Sequence, residues 1–258
     1  MDSDLIQWPR AKYWTAQWNP VIGCKPCSPA CENCYAAAWA KRFGQSFEPH
    51  LSSQVRPPRK GIVFCGNMTD LWGDFVEAIC PGKKTYGHDS FQTEMLLHCH
   101  SFKATYLWLT KRAEEMCESV SFTMEKYERF ASYFQRFHYF GFTAENQDCF
   151  LMRYIRALGG LTRWANLWVS AEPLLGPIRM GLGYTGYHPK WVVVGCESGP
   201  NRRPCKIEWV ESIVEQCMAA KIPVFVKQLD INGRCVTDIN RFPAHLRIRQ
   251  VPWAKEEP

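Results

Sequence analysis

The stretch from Trp18 to Ala36 reads WNPVIGCKPCSPACENCYA, and it places four cysteines within eleven residues at the spacing C-x2-C-x3-C-x2-C. Two prolines in this loop, Pro26 and Pro29, fix their own φ angles, which lowers the entropy lost when several thiols are held at one point. An apolar run with a glycine precedes the cysteines, and the helix-forming run Tyr35–Arg42 follows them. The stretch therefore predicts a strand, a metal-binding loop and a helix, in that order.

The composition is typical of a soluble globular protein, since 46% of the 258 residues are apolar and 22% are charged. No run approaches the roughly 18 apolar residues needed to span a bilayer. The first eight residues lack the basic start and the apolar run of a signal peptide. We therefore expect a cytoplasmic protein without membrane association, in which the thirteen cysteines are reduced. The net charge of +6 permits a polyanionic partner but does not require one.

A pattern recurs after the cysteine loop: a short apolar run ends in small, polar or charged residues, and a helical stretch follows. The apolar runs are Gly61–Cys65, Thr105–Leu109, His138–Phe142, Leu167–Val169, Trp191–Val194 and Pro223–Val226. Because these runs are continuous rather than alternating, they predict strands buried on both faces, as in a parallel sheet. In the stretch Ile207–Ala220, apolar residues at helical spacing predict an amphipathic helix: Val210, Ile213, Val214 and Cys217.

These elements predict an α/β fold. With Val21-Ile22-Gly23 as the first strand there are about seven β/α steps, and we predict a full or partial (β/α) TIM-like barrel of parallel strands, with the cysteine loop after the first strand. An open doubly wound sheet is the alternative, although no G-x-G-x-x-G or G-x-x-x-x-G-K-[ST] motif is present. We predict one domain over residues 1–258, with 1–19 as an N-terminal extension and 236–258 as a C-terminal tail. In either fold the polar residues after the strands lie on one face, which carries the active site.

The spacing of the cysteines indicates which kind of metal centre the loop could hold. Structural zinc sites usually pair two C-x2-C units separated by a dozen or more residues, whereas only three residues separate them here. Iron–sulfur clusters accept such compact runs because their irons are spread over the corners of a cube. The spacing therefore favours iron–sulfur over zinc, with uncoordinated or redox-active thiols as the third alternative. Four ligands would restrict a cluster to electron transfer or structure, whereas three would leave one iron open. The spacing does not say whether Cys24 or Cys27 is the extra cysteine.

Gly23-Cys24, together with Cys31-Glu32-Asn33-Cys34-Tyr35-Ala36, resembles the cluster loop of radical S-adenosylmethionine enzymes, in particular the spore photoproduct lyase branch. More closely, the chain resembles a phage and mobile-element family that carries a three-cysteine motif. The motifs of that family occur here in the same order over roughly residues 14–230: Trp18-Asn19-Pro20 through Ala36, Asn67-Met68-Thr69-Asp70-Leu71, Leu109-Thr110-Lys111-Arg112, SAEPLLGP from Ser170 to Pro177, VGCESG from Val194 to Gly199, and Phe225-Val226-Lys227-Gln228.

The resemblance implies a radical-SAM-like fold and a [4Fe–4S] cluster held by Cys24, Cys31 and Cys34, with Cys27 where the family has another residue. It also implies that the open iron binds S-adenosyl-L-methionine, and that one electron from the reduced cluster cleaves it to a 5′-deoxyadenosyl radical, which abstracts hydrogen from a substrate. The chain departs from the common pattern in two ways. The spacing is C-x6-C-x2-C rather than C-x3-C-x2-C, and Asn33 replaces an aromatic residue.

The residues after the strands are the candidates for the other roles. Cofactor contacts are predicted for Asn67, Thr69, Asp70, Glu145, Ser170 and Glu197. Catalytic roles are predicted for Cys196, Lys111 and Glu172. Each group also has a structural alternative. Thr69 and Asp70 could cap a helix, and Lys111 could be an exposed cation. The acidic residues could pair with Lys111 and Lys227 and so lock the rim of the sheet. Cys196, which replaces a glycine of the family, could be a packing residue or a reactive thiol.

Two classes of function follow. The first is a radical S-adenosylmethionine-type iron–sulfur enzyme that acts on nucleic acid or a nucleotide and receives its electron from a donor protein. The second is a metal-bearing nucleic-acid-binding or assembly protein without turnover, in which iron–sulfur or zinc is structural. A further alternative is a barrel that has lost its cluster and binds a separately encoded partner protein.

Overall fold

The computed structural model describes residues 6–54, 56–80, 90–100, 102–161, 165–182, 188–199 and 201–253. The chain divides into two compact units. One of them, here the cysteine unit, comprises residues 14–142 and 153–166, and the other, here the carboxyl-terminal unit, comprises residues 1–13, 143–152 and 167–258. The prediction of a single domain stays a prediction, and residues 1–5 of the predicted extension and 254–258 of the predicted tail lie outside the described residues.

Along the chain, the described residues form the elements β1 (Ile6–Gln7), β2 (Ala16–Trp18), β3 (Val21–Ile22), α1 (Tyr35–Arg42), β4 (His50–Leu51), β5 (Ile62–Cys65), α2 (Asp74–Ile79), α3 (Phe91–Cys99), β6 (Thr105–Thr110), α4 (Ala113–Lys126), α5 (Ala131–Phe137), β7 (His138–Thr143), α6 (Gln147–Leu161), β8 (Asn166–Ala171), β9 (Trp191–Gly195), α7 (Ile207–Ala219), β10 (Val224–Ile231), β11 (Arg234–Val236) and β12 (Gln250–Val251). None of the described helices has the length and apolar character needed to cross a membrane.

In the cysteine unit, four parallel strands follow the order β2-β5-β6-β7. The register places Phe64 opposite Leu107, and Leu107 opposite Tyr139. Every residue of β5 and of β7 is buried, as their continuous apolar runs predicted. β3 and β4 form a separate antiparallel pair, with Val21 opposite Leu51.

The predicted first parallel strand is wrong. Val21–Ile22 forms a strand, but it pairs antiparallel with β4, and the parallel neighbour of β5 is β2, Ala16–Trp18. β2 lies at the end of the strand order, and its exposed Gln17 stands between half-buried Ala16 and buried Trp18. No continuous apolar run therefore marks it in the sequence. The cysteine loop follows β3, which is one strand later than the first parallel strand.

In the carboxyl-terminal unit, β8, β9 and β10 are parallel neighbours in that order, and β11 is antiparallel to β10. β1 pairs with β12, Ile6 opposite Val251, so the predicted extension and tail both contribute strands. Helix α7 buries the four residues predicted for its apolar face, which confirms that helix: Val210, Ile213, Val214 and Cys217. The mixed α/β fold with mostly parallel strands is confirmed, and closure of the strands into a TIM-like barrel stays a prediction.

Aromatic side chains fill the core of each unit. In the cysteine unit, the ring centroids of Trp72 and Trp108 lie 5.7 Å apart in an edge-to-face arrangement. In the carboxyl-terminal unit, Tyr13 packs edge to face against Trp191 at 4.9 Å and against Phe225 at 5.4 Å. Such pairs contribute about 1 kcal/mol each beyond the burial of their area. These rings are therefore core residues rather than surfaces for base stacking.

A buried histidine, His138 at the start of β7, makes the stability depend on pH. Its side chain is 0% exposed, and the indole N–H of Trp108 donates to its Nδ1 at 3.0 Å. Burial lowers the pKa of His138 well below its usual value, so the ring is neutral in the folded protein. The unfolded chain then binds the extra proton, and we expect the free energy of unfolding to fall as the pH drops below about 6.5, by up to about 1.4 kcal/mol per pH unit.

Urea unfolding between about pH 5 and pH 8 measures this slope. His138→Gln is expected to remove the contribution of the buried ring. His50→Gln, at an exposed position, is the matched control and is expected to retain the slope. The same slope in His138→Gln and in the parent protein would contradict this prediction.

Candidate metal centre

The cysteine loop begins at Gly23, whose backbone has a φ of +89°. The Gly23 N–H donates to the carbonyl of Met68 at 3.1 Å, and the hydroxyl of Thr69 donates to the Gly23 carbonyl at 2.6 Å. The N–H of Cys24 donates to the carbonyl of Phe47 at 3.3 Å. The start of the loop is therefore tied both to the segment after β5 and to the segment before β4.

Gly23→Ala is expected to destabilise the protein by about 3 kcal/mol. A Cβ at this position would lie 2.5 Å from the main-chain oxygen of Glu48, a contact that no side-chain rotation relieves. Gly44→Ala is the matched control, because Gly44 also has a positive φ but has no atom within 4 Å of a built Cβ. Gly44→Ala is expected to lower the free energy of unfolding only by the backbone strain, about 1 kcal/mol. Urea titration of both variants measures the difference, and equal losses would show that the close approach at Gly23 is relieved by the chain.

Asn19 and Tyr35, at opposite ends of the cysteine-rich stretch, both hold the segment after β5. The side-chain amide of Asn19 donates to Oδ1 of Asn67 at 2.8 Å, and its Oδ1 accepts from the N–H of Met68 at 3.1 Å. The hydroxyl of Tyr35 donates to the carbonyl of Asn67. Two residues that flank the cysteines in the sequence therefore help to dock the cysteine loop against the segment after β5.

The four thiols of the loop differ in exposure. Cys24, Cys31 and Cys34 are half-buried, whereas Cys27 is exposed. The N–H of Cys31 donates to the carbonyl of Ser28 at 2.9 Å, and the N–H of Cys34 donates to the carbonyl of Cys31 at 3.3 Å. Two consecutive tight turns therefore precede α1. The three predicted ligands are the three shielded thiols of the loop.

Hydrogen bonding and burial shift the acidity of three of these thiols. The thiol of Cys27 donates a hydrogen bond to Cys31, which lowers the pKa of Cys31 and raises the pKa of Cys27. The charge of Lys111 also lowers the pKa of Cys31. Burial raises the pKa of Cys24 to about 11, and the carboxylate of Asp70 adds to this rise. Cys31 therefore favours the thiolate form, whereas Cys24 must release a proton when it binds a metal.

Asp70 connects the segment after β5 to the end of β6. Its buried carboxylate accepts from the hydroxyl of Thr110 at 2.6 Å and from the N–H of Lys111 at 3.0 Å. It also forms an ion pair with Arg112 at 3.1 Å. The other terminal nitrogen of that guanidinium donates to the carbonyl of Lys25, inside the cysteine loop, at 3.0 Å. Asp70 and Arg112 therefore position the loop through a chain of charged hydrogen bonds.

The donor set of the loop fits an iron–sulfur cluster in its chemistry, because soft thiolates are the ligands that such clusters take. The loop offers three half-buried thiols, and Lys111 and Arg112 place positive charge near its cysteines. Among the residues that the structure describes, no three His, Cys, Asp or Glu side chains are grouped so as to share one metal ion. The thiolates of a cluster are bonded to different irons, which lie at separate corners.

The other predicted site residues lie in the carboxyl-terminal unit, in β8 or shortly after β7, β8 and β9. The N–H of Leu174 donates to the carbonyl of Gly195 at 3.0 Å, and the N–H of Leu175 donates to the carbonyl of Glu145 at 2.7 Å. These bonds bring the segments after β7 and β8 and the last residue of β9 together. The hydroxyl of Ser170 is buried and has no hydrogen-bond partner within the described ranges.

Glu172 and Glu197 are both paired. The carboxylate of Glu172 forms an ion pair with Lys227 at 2.5 Å and accepts from the side-chain amide of Gln228 at 3.0 Å. Glu197 forms an ion pair with Arg203 at 2.6 Å. The pairing of an acidic strand-end residue with Lys227 is confirmed for Glu172. These carboxylates are thus held in fixed positions by neighbouring cations.

The predicted site residues fall into two groups. The cysteine unit holds Cys24, Cys31, Cys34, Asn67, Thr69, Asp70 and Lys111, and the carboxyl-terminal unit holds Glu145, Ser170, Glu172, Cys196 and Glu197. Convergence of the two groups on one face stays a prediction. Helix capping by Thr69 and Asp70 is wrong for α2, because the N-cap of that helix is Gly73.

Sequence reasoning missed the partners Asn19, Tyr35, Arg203 and Gln228. For three of them the sequence carried a signal, because each lies in or next to a motif quoted above. Asn19 lies in the W-N-P motif, Tyr35 lies in the C-Y-A motif, and Gln228 follows Lys227. Arg203 carries no such signal. It lies in a segment without apolar periodicity, and only the fold shows its pairing with Glu197.

The fold and the site define an α/β protein with mostly parallel strands and a cysteine-rich loop docked against the segment that follows β5. The chain belongs to the family described as protein of unknown function (DUF5131), which matches residues 9–237. The match spans both groups of predicted site residues. No curated protein and no solved structure matches the chain.

Proposed function

We propose that this protein is a radical S-adenosylmethionine-type iron–sulfur enzyme in which Cys24, Cys31 and Cys34 hold a [4Fe–4S] cluster. The observation that carries the proposal is the docking of the three-thiol loop against the segment after β5 by hydrogen bonds from Asn19 and Thr69. In the enzymes that the loop resembles, this segment contacts the methionine amino group. The proposal also includes a partial (β/α) barrel as the fold, a phage or mobile element as the origin of the chain, and a separate protein as the electron donor.

When bound, the reduced cluster supplies one electron for cleavage of S-adenosyl-L-methionine to a 5′-deoxyadenosyl radical. The chain's own residues then have defined tasks. Asp70 and Arg112 hold the cysteine loop in place, and Lys111 stabilises negative charge at Cys31. Asn67 accepts from the side chain of Asn19 and Thr69 donates to the carbonyl of Gly23, so their contribution is to hold the segment after β5 against the cysteine loop. Cofactor contacts by Glu145, Ser170 and Glu197, and catalytic roles for Lys111, Glu172 and Cys196, belong to the same proposal.

Anaerobic reconstitution with iron and sulfide tests the proposal directly. The expected result is about four irons per chain and a broad visible absorbance that changes when S-adenosyl-L-methionine is added. Fewer than about three irons per chain, or a visible absorbance that does not change when S-adenosyl-L-methionine is added, would contradict the assignment. Stoichiometric zinc after purification, with no uptake of iron, would identify a structural zinc protein instead.

A second candidate function, a metal-bearing nucleic-acid-binding protein, is favoured by the surface of α1. Tyr35, Trp39 and Phe43 follow one another at i, i+4 spacing and are 52%, 47% and 56% exposed. The rings of Trp39 and Phe43 lie 4.8 Å apart, and Lys41 and Arg42 stand in the last turn. Aromatic rings interleaved with cations are the elements of a stacking surface for single-stranded nucleic acid.

Binding of a single-stranded oligonucleotide at two salt concentrations tests this surface. Trp39→Ala is expected to weaken binding about tenfold, because one stacked base is lost, and added salt is expected to weaken it further. Phe122→Ala, at an aromatic residue of α4 that is 49% exposed and lies beside Lys126, is the matched control. Equal effects of the two substitutions would exclude α1 as the binding surface.

A further inference from the structure

The amino ends of three strands in the cysteine unit carry four exposed cations, here called the basic edge: Arg59, Lys60, Lys103 and Arg136. Arg59 and Lys60 precede β5, Lys103 precedes β6, and Arg136 stands two residues before β7. The three strands are parallel neighbours in the order β5-β6-β7. Neighbouring strands of a sheet lie about 4.8 Å apart, so the four cations lie together along one edge of the sheet.

The strand register places two of these cations level with each other. Ile62 of β5 is opposite Thr105 of β6, and Lys60 and Lys103 each stand two residues before that pair. The N–H of Thr105 donates to the carbonyl of Gly61 at 2.9 Å, so the two chains stay paired at the start of β5. The basic edge therefore follows from the pairing of the strands.

Hydrogen bonds from buried tyrosine rings hold the segments that carry the cations. The hydroxyl of Tyr106, in β6, donates to the carbonyl of Pro58 at 2.7 Å, directly before Arg59. The hydroxyl of Tyr133, in α5, donates to the carbonyl of Phe102, directly before Lys103. The backbone of the basic edge is thus ordered before any partner binds, which lowers the entropy that binding costs.

Two of the cations are guanidinium groups that lie over aromatic rings. The guanidinium carbon of Arg59 is 4.9 Å from the centroid of Phe102, and that of Arg136 is 5.2 Å from the centroid of Phe137. Both rings are half-buried. Stacking occupies one face of a guanidinium and leaves the N–H groups at its rim free to donate to phosphate oxygens.

The basic edge is not neutralised by acidic residues of its own segments. Residues 49–66, 95–113 and 129–144, which contain the four cations, include no Asp or Glu. Within the part of the chain that the structure describes, none of the four forms an ion pair. Their positive potential is therefore available to attract a polyanion.

We propose that the basic edge binds the phosphate backbone of double-stranded nucleic acid, irrespective of its sequence. Lys and Arg side chains are the groups that contact phosphate oxygens in such complexes. Single strands are bound by exposed aromatic rings, and anionic membranes by apolar side chains that insert among the lipids. None of the large apolar side chains that are exposed among the described residues lies in the three segments of the basic edge. The charge without an exposed apolar surface favours the duplex.

This surface is independent of both functions proposed above. The basic edge precedes β5, whereas the cysteine loop docks against the segment after β5. Binding of a duplex requires no cluster, so it can be measured on protein without iron. A duplex also offers no unpaired bases to the exposed rings of α1. Failure of this proposal is therefore distinguishable from failure of the other two.

Fluorescence anisotropy with a labelled duplex of mixed sequence, about 20 base pairs long, tests the proposal on the full-length protein. Between about 50 and 200 mM NaCl, four phosphate contacts are expected to weaken binding by roughly 150-fold. Replacing all four cations of the basic edge by Gln is expected to weaken binding at about 50 mM NaCl at least about tenfold, and to reduce the salt effect to less than about tenfold.

The matched control removes the same net charge from four exposed positions of the carboxyl-terminal unit. It replaces Lys190, Lys221, Arg234 and Arg241 by Gln. This variant is expected to retain the affinity of the parent protein and its dependence on salt. Circular dichroism of both variants checks that they are folded. Equal losses of binding in the two variants would overturn the proposal, because the effect would then depend on net charge alone.

A second measurement uses the parent protein alone, so it does not depend on the folding of a variant. Lysines are acetylated with and without the duplex, and the modified peptides are quantified by mass spectrometry. The duplex is expected to slow acetylation of Lys60 and Lys103 several-fold, and to leave Lys190 and Lys221 unchanged. Absence of this protection, or binding to vesicles of phosphatidylserine and phosphatidylcholine without binding to the duplex, would overturn the proposal.

Discussion

Alanine at Cys24, Cys31 or Cys34 is expected to reduce the iron of the reconstituted protein from about four atoms per chain to fewer than about one. Each of these half-buried thiols would hold a different iron, so that two remaining ligands do not retain a cluster. Cys27→Ala is the matched control, because this thiol belongs to the same loop but is exposed. It is expected to retain the iron and the visible absorbance.

The measurement is iron and sulfide content together with absorbance after anaerobic reconstitution of all four variants. Circular dichroism of each variant before reconstitution separates loss of ligand from loss of fold. Loss of iron in Cys27→Ala would indicate four thiolate ligands and no open iron. Retention of iron in any of the other three would remove that cysteine from the ligand set.

The second large effect is expected at Asp70. Asp70→Asn is expected to destabilise the protein by about 3 kcal/mol, because it leaves the Arg112 guanidinium without its counter-charge. The side chains of Arg112 and Asp70 are only 13% and 8% exposed, so water replaces little of the lost interaction. Since Arg112 also donates to the carbonyl of Lys25, the same variant is expected to retain less iron after reconstitution.

An exposed ion pair of the same unit provides the control for Asp70. Arg156 and Glu114 lie 2.6 Å apart, but their side chains are 60% and 51% exposed. Glu114→Gln is therefore expected to cost less than about 1 kcal/mol. Urea unfolding at neutral pH compares the two variants, and adding Arg112→Met to Asp70→Asn is expected to recover part of the loss. A loss in Asp70→Asn as small as that in Glu114→Gln would contradict the positioning role.

The sequence predicts most of the parallel strands correctly because burial on both faces imposes a continuous apolar run, as in β5 and β9. It does not predict β2, where the exposed Gln17 interrupts the pattern. The two-residue strands β1 and β12 are also missed, because two residues are too short to show a period. Their pairing joins residues at opposite ends of the sequence, which local patterns do not encode.

The candidate site also has one part that the sequence predicts and another part that it does not. The spacing of the cysteines is local, so the sequence alone shows that their thiols come together in one loop. The contacts that hold this loop are not local. Arg112 is separated from Asp70 by 42 positions and from Lys25 by 87, and only the fold brings these three residues together. The sequence therefore indicates the chemistry of the site better than it indicates the residues that position it.

The way the two units are assembled from the chain allows them to fold at different times during synthesis. The cysteine unit is complete once residue 166 has been made, whereas the carboxyl-terminal unit needs both residues 1–13 and residues up to the strand at Gln250–Val251. At ribosomal rates, roughly 4 to 17 s pass between residue 166 and residue 251. During that interval the cysteine loop can already dock on its own unit. Ile6 and Gln7 can pair with Gln250 and Val251 only after those two residues have left the ribosome.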